Sequence, residues 1–192
     1  MAMMHDRLNE KHRIQIAKAP IFFVATATAD SRINLSPKGY DCFRVLGDKR
    51  VAWLDLGGSG NETQAHLTAD GRITVMFCNF EQPANILRLY GTARFVMPAD
   101  PEWEALVGHF KVMSGTRQIF VMDVDNVQDS CGWGVPFMTL ERERDTLVKA
   151  HAQSDPAEWE ARNAARTHSI DGLPVRPAER YISGEPRADK LV

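Results

Sequence analysis

The sequence predicts a mainly β protein, an antiparallel barrel with peripheral helices, and three observations predict it. Six segments rich in β-branched and aromatic residues fill about half of residues 21–127. Turn residues join them at short intervals, with only two short helical patterns between them. The regular strand–helix alternation of a doubly wound parallel sheet is missing.

Taken in order, Leu8, Lys11, His12, Gln15 and Ile16 recur at helical spacing and Pro20 closes the run, so the chain begins with one amphipathic helix. "IFFVATATA" (21–29) and "RINLS" (32–36) form a hairpin around the turn residues "DSR". "VAWLDL" (51–56), "RITVMFCNF" (72–80), "ILRLYGTARFVM" (86–97) and "RQIFVMDVDNV" (117–127) complete the six strands. One helix follows a glycine loop at residues 57–61. The other, "DPEWEALVGHF" (100–110), has Asp100 as N-cap and Pro101 at its first position. From residue 141 the chain turns charged and helical, in "ERERDTLVKAHAQ" and in "DPAEWEARNAART", where Asp155 and Pro156 start the second helix. Residues 170–192 read as an extended tail that is ordered where it lies against something. The division is therefore residues 1–140, barrel with N-terminal helix, and residues 141–192, helical extension and tail.

Composition narrows the function. At 192 residues and 44% hydrophobic content the chain buries a substantial core. A net charge of −2 gives no basic field for nucleic acid, and no window reaches the roughly 18 apolar residues of a membrane span. The charged opening "MAMMHDRLNEKHRIQIAKAP" does not read as a signal peptide, so the expected location is cytoplasmic. Cys42, Cys78 and Cys131 are scattered and odd in number, which predicts neither a disulfide framework nor a metal knuckle. His66, His109 and His151 lack ligand spacing, and no metal is expected.

The loop "GGSGNETQAHLTADG" (57–71) carries the functional reading. A helix start exposes unpaired amides and a partial positive charge, and glycines before it let the backbone approach an anion. Ser59, Asn61 and Thr63 add side-chain hydrogen bonds, although Ser59 and Glu62 also fit a plain capping box. In "INLSPKG", Asn34, Ser36 and Lys38 share one face of an extended segment, with Ile33 and Leu35 on the other. Arg88 lies within the apolar strand "NILRLYG", where an arginine needs an anion or a route to water. In "CGWG", Trp133 stands between glycines, either laid on a ligand or buried on a turn.

"FFVATATADSRINLSPKGYD", "VAWLDLGGSGNETQAHLTADGRITVMFCNF" and "ILRLYGTARFV" together resemble the flavin-binding split-barrel proteins related to pyridoxamine 5'-phosphate oxidase, over roughly residues 20–138. The resemblance implies a six-stranded antiparallel split β-barrel, a homodimer, and one FMN in each of two clefts between subunits. It places Lys38 against the flavin. It also aligns Asn61, Glu62 and Thr63 with the family's Ser-Arg-Lys phosphate grip, a departure that shifts the phosphate charge toward Arg88 and the helix N-terminus. The ending "RYISGEPRADKLV" departs from the arginine-rich substrate motif of the vitamin-oxidising enzymes, so that substrate is not implied. The expected cofactor-binding residues are Ser36, Lys38, Asn61, Thr63, Arg88 and Trp133, in an FMN-dependent oxidoreductase that takes hydride from a nicotinamide nucleotide or another small reduced substrate. Two alternatives stay open: a deazaflavin-dependent reductase, and a flavin- or haem-binding protein without turnover, with His151 and His168 as the haem-ligand candidates. Apolar strand surface such as Phe77, Leu89 and Phe120 is expected to need a second subunit to cover it.

Overall fold

The computed structural model describes residues 2–184. Eight strands make one sheet: β1 (Met3–His5), β2 (Phe22–Thr26), β3 (Asn34–Lys38), β4 (Phe43–Gly47), β5 (Arg50–Leu56), β6 (Arg72–Cys78), β7 (Asn85–Val96) and β8 (Thr116–Cys131). Their order is β3-β2-β6-β7-β8-β5-β4, with β1 paired to β8, and every pairing is antiparallel. The expected six strands thus become eight. β4 lacks an alternating signal because all five of its residues are half-buried, and it pairs only with β5. β1 has no strand signal of its own and forms by lying along β8, with His5 opposite Val127.

The sheet curls until its two flanks meet. Phe22 on β2 and Phe43 on β4 are far apart in strand order, yet their ring centroids are 4.9 Å apart, edge to face. Trp53, Phe77 and Phe120 stack around them and fill the barrel with Val24, Val75, Leu87 and Met122. Each such buried side chain contributes about 1.5–3 kcal/mol from its removal from water. Phe77, Leu89 and Phe120 are therefore interior, at most 1% exposed, which corrects the expectation that one chain leaves them uncovered. Apolar side chains that do face outward include Ile33, Leu35, Trp133, Phe137, Met138 and Leu140. At the bulge after Tyr90, Gly91 comes so close to β8 that a Cβ there would stand 2.0 Å from the Asp123 carbonyl oxygen.

Five helices surround the barrel: α1 (Glu10–Lys18), α2 (Glu62–Ala69), α3 (Trp103–Val107), α4 (Thr146–Ala152) and α5 (Pro156–Ala164). Asp100 does not cap α3. Its carboxylate accepts the Met97 amide at 2.7 Å and closes the preceding turn, so the helix starts later than expected and Pro101 lies outside it. The helix expected over 141–153 is confined to α4, because residues 141–145 are exposed and find no packing surface. Asp155 caps α5 as expected, accepting from the amides of Ala157 and Glu158.

The extension returns to the barrel. Trp159, 1% exposed, packs with Met97 and Ala178 in a small second core, against which Tyr181 lies. The Gly184 amide donates to Ser114 Oγ at 3.1 Å. Residues 170–184 are thus the part of the expected tail that lies against something; 185–192 fall outside the described residues.

Candidate functional site

Where β3 closes on β5 and β8, the mouth of α2 opens into a cavity of about 320 Å³. β3 turns Asn34, Ser36 and Lys38 toward it, while Leu35 faces out. Residues 58–63, Glu62 included, form the facing wall. Four of the expected site residues, Ser36, Lys38, Asn61 and Thr63, therefore line one cavity.

Its floor is a buried carboxylate. Asp55 on β5, with 1% of its side chain exposed, accepts from Lys38 Nζ at 3.0 Å, from Arg117 Nη2 and Nε at 2.8 and 3.2 Å, and from Gln118 Nε2 at 2.8 Å. Burial by itself would raise the Asp55 pKa. Lys38 first, then Arg117 and Gln118, outweigh it and hold the carboxyl far below the usual carboxylate range. Two cations share one carboxylate, so Lys38 is not a free charge facing the cavity, as the sequence implied, but half of a network with Arg117. Sequence reasoning missed Asp55 and Arg117. The signal was available, since both are charged residues inside apolar strands, the feature that singled out Arg88.

The walls have a fixed hydrogen-bonding polarity. Asn34 gives its two amide hydrogens to Thr63 Oγ1 and Thr26 Oγ1, both at 3.1 Å, and its oxygen accepts from Ser36 Oγ at 3.0 Å. Thr63 keeps its hydroxyl hydrogen and Ser36 keeps its lone pairs for the cavity. Thr26 Oγ1 also meets His66 Nδ1 at 3.0 Å, behind the wall.

Asn61 occupies the N-cap position of α2 but does not cap it, because its Oδ1 accepts from Gln118 Nε2 at 2.8 Å. The capping box expected of Ser59 and Glu62 does not form either: both Glu62 oxygens accept the Ile170 amide at 3.2 Å. As a result the amides of residues 59–64 have no partner among the described residues. Six successive N–H groups at a helix start make an anion-binding surface.

The extension holds this loop from behind. His151 Nε2 lies 2.8 Å from the Gly57 carbonyl oxygen, and Trp159 Nε1 donates to His151 Nδ1 at 3.2 Å. An indole only donates, so His151 is neutral with its proton on Nε2. Burial pushes its pKa down. With both ring nitrogens engaged, His151 has none to offer a haem iron. Gly115, at φ +79°, leaves room for this ring; a Cβ there would lie 2.3 Å from it. Arg166 Nη1 donates to the Gly58 carbonyl, and the Arg176 amide to Gln64 Oε1 at 2.7 Å.

Arg88 and Trp133 are elsewhere on the chain. Arg88 lies opposite Gln128 and donates to Ser130 Oγ at 2.9 Å, and it does not line the cavity. Trp133 is 87% exposed, so it is no core tryptophan, and it borders a second hollow of about 190 Å³ with Phe80 and Phe137.

Histidines also cluster, which single-residue spacing did not reveal. His5 and His12 both place Nε2 at 3.0 and 2.9 Å from Asp129 Oδ2, and Asn85 donates to Oδ1 at 2.9 Å. His12 Nδ1 accepts the Asn9 amide at 3.1 Å, so neutral His12 carries its proton on Nε2 and gives it to Asp129. A metal-ligating histidine does the reverse and donates its outer nitrogen. The cluster pins the N-terminal segment to β8.

A sequence model described as pyridoxamine 5'-phosphate oxidase matches residues 8–131. The chain belongs to the pyridoxamine 5'-phosphate oxidase family. It is 38% identical over 151 residues to the family protein ustO of Aspergillus flavus, covering 76% of this chain and 61% of that one, so it spans less than two thirds of the relative's length. Among solved structures, a candidate pyridoxamine 5'-phosphate oxidase from Lactobacillus delbrueckii matches with a TM-score of 0.53 at 14% identity, over 64% of this chain and 94% of that one. HupZ of Group A Streptococcus matches with a TM-score of 0.51 at 20% identity, over 62% and 91%. These likenesses place the barrel among the split-barrel folds of the family. No helix among the described residues is long and apolar enough to cross a membrane.

Proposed function

We propose that the chain is an FMN-dependent oxidoreductase whose cofactor phosphate binds at the mouth of α2. The observation that carries this reading is the run of unpaired amides at 59–64, at a helix start beside a cavity whose floor holds Lys38 and Arg117 on a single carboxylate. The donor set fits a phosphate monoester: amides and the Thr63 hydroxyl donate, and the two cations leave a net positive floor. Glu62 also lines the cavity, and its carboxylate is engaged by the Ile170 amide. Ser36 accepts, which suits a ribityl hydroxyl. Bound there, FMN would supply the hydride chemistry, and the protein would orient it and tune it electrostatically.

A cavity of about 320 Å³ is at the lower end of ligand sites, roughly 300–1,000 Å³, so one chain encloses only part of a flavin. The outward-facing Ile33 just before β3 and Leu35 on it, and Trp133, Phe137 and Met138 beyond β8, are apolar surfaces that a second copy would cover. The proposed working form is therefore a two-fold dimer that completes each flavin cleft, with a small reduced molecule such as a nicotinamide nucleotide as donor.

Titration with FMN is expected to quench flavin fluorescence and raise the melting temperature, with a particle of about 43 kDa, twice the 21.5 kDa chain, in light scattering. No quenching and no thermal shift would reject the flavin reading. A monomer that still binds FMN would reject the shared cleft.

A further inference from the structure

Asn61, Glu62 and Thr63 bring no cation to the start of α2, and the C-terminal extension brings one to the same loop. Arg166, just beyond α5, donates through Nη1 to the Gly58 carbonyl. Gly58 and Ser59 line the cavity and Arg166 does not, so the guanidinium stands behind the loop. The Gly58–Ser59 peptide is trans, since the cis bond among the described residues is Gln82–Pro83. In a trans peptide the N–H points opposite to the preceding C=O. A Gly58 carbonyl drawn back to Arg166 therefore turns the Ser59 N–H forward into the cavity. Arg117 holds the next carbonyl but one, Gly60, at 3.0 Å, so two guanidiniums fix the loop's shape.

Charge accompanies geometry. No carboxylate pairs with Arg166 or Arg162 among the described residues. Burial, and then repulsion from Arg117 and Arg162, works against the charge on Arg166. An arginine group with more cations than carboxylates is what a bound anion would relieve.

We propose that Arg166 is a positioning residue for the phosphate of the cofactor: it aims the Ser59 amide into the cavity and adds positive charge behind the loop, so that the appended segment, rather than the loop sequence, supplies the cation absent from residues 61–63. The proposal rests on the flavin reading above. It predicts selectivity between two forms of one ligand, FMN and riboflavin, which differ only by the phosphate.

The test compares the dissociation constants of full-length wild type, Arg166→Ala and Arg166→Lys for both ligands by fluorescence quenching, with circular dichroism verifying the fold. Arg166→Ala is expected to weaken FMN binding by about tenfold or more, the loss of one charge-assisted contact, and to leave riboflavin unchanged. Arg166→Lys should recover most of the loss, and the affinity lost by Arg166→Ala should shrink at high salt. Equal weakening for both ligands would make Arg166 a merely structural prop, and unchanged FMN binding would remove it from the site; either overturns the inference. Wild type that binds neither ligand would instead reject the flavin reading itself.

Discussion

Two carboxylates, Asp55 and Asp129, are gripped at opposite ends of the same strand, and they differ in what their partners have left over. β8 contributes Arg117 and Gln118 to Asp55 at one end and carries Asp129 itself at the other. Around Asp129 the donors are matched to the acceptors: His12 uses both ring nitrogens, and Asn85 divides its amide hydrogens between Asp129 and Gln15. Around Asp55, an ammonium with three N–H groups and a guanidinium with five exceed what one carboxylate and the Gly60 carbonyl accept. The surplus borders a cavity. A closed cluster fastens chain segments, whereas one with unspent donors at an opening is built to receive something.

The largest expected effect separates the two directly. Asp55→Ala leaves Arg117, only 5% exposed, as an uncompensated buried cation, so it should cost about 3–5 kcal/mol of stability by urea denaturation. Asp129→Ala removes acceptors from histidines that can remain neutral, and about 1–3 kcal/mol is expected. Costs in the opposite order would break the comparison.

Acid sharpens it. Both carboxyls are held below their ordinary pKa. At Asp129 burial raises the value, while Asn85, His12 and His5 together lower it further. Their stabilisation is thus complete above the unfolded value of about 3.9 and is lost only as pH falls below it. His151 titrates elsewhere. Its pKa is depressed by burial, so its contribution is complete above the unfolded value of about 6.5 and fades as pH drops below that. Between about pH 6 and pH 5 the extension should therefore loosen while both carboxylate clusters hold, seen as faster hydrogen exchange at residues 146–184 than in β7 and β8. Uniform protection over that range would show that His151 does not lock the extension.

The smallest effect concerns Arg88. Its bond to Ser130 is half-exposed, so Arg88→Ala should change stability by about 0.5–1.5 kcal/mol. Within one chain it does not line the cavity, and FMN affinity should be unaffected. A loss of affinity would mean that a second copy presents Arg88 to its partner's cleft.

Much of the barrel was legible because its central strands alternate or run apolar over five or more residues, as in Arg72–Cys78 and Asn85–Val96. β1 and β4 were not, since a three-residue strand and an evenly half-buried one owe their form to neighbours distant in sequence. Ser36, Lys38, Asn61 and Thr63 could be read because strand alternation and a glycine loop are local patterns. Asp55 and Arg117 stand among apolar neighbours in "VAWLDL" and "RQIFVM", the same signal as Arg88, but that they pair with each other and with Lys38 is set only by the fold. The hold of the extension on the loop, through His151, Arg166 and Ile170, spans about a hundred residues of separation and leaves no local trace.

The contact of His151 with Gly115 also bears on how such a chain diverges. A methyl group at position 115 would occupy the space of the imidazole, so the extension and that glycine cannot change independently. A lineage that shed the helical segment would free position 115 for the few other residues that tolerate its backbone angle, and one that acquired the segment would have needed the glycine first. The two positions, thirty-six apart in sequence, are coupled: a chain that keeps this imidazole against the loop keeps a glycine at 115, and relatives that keep one without the other would mark where the extension was gained or lost.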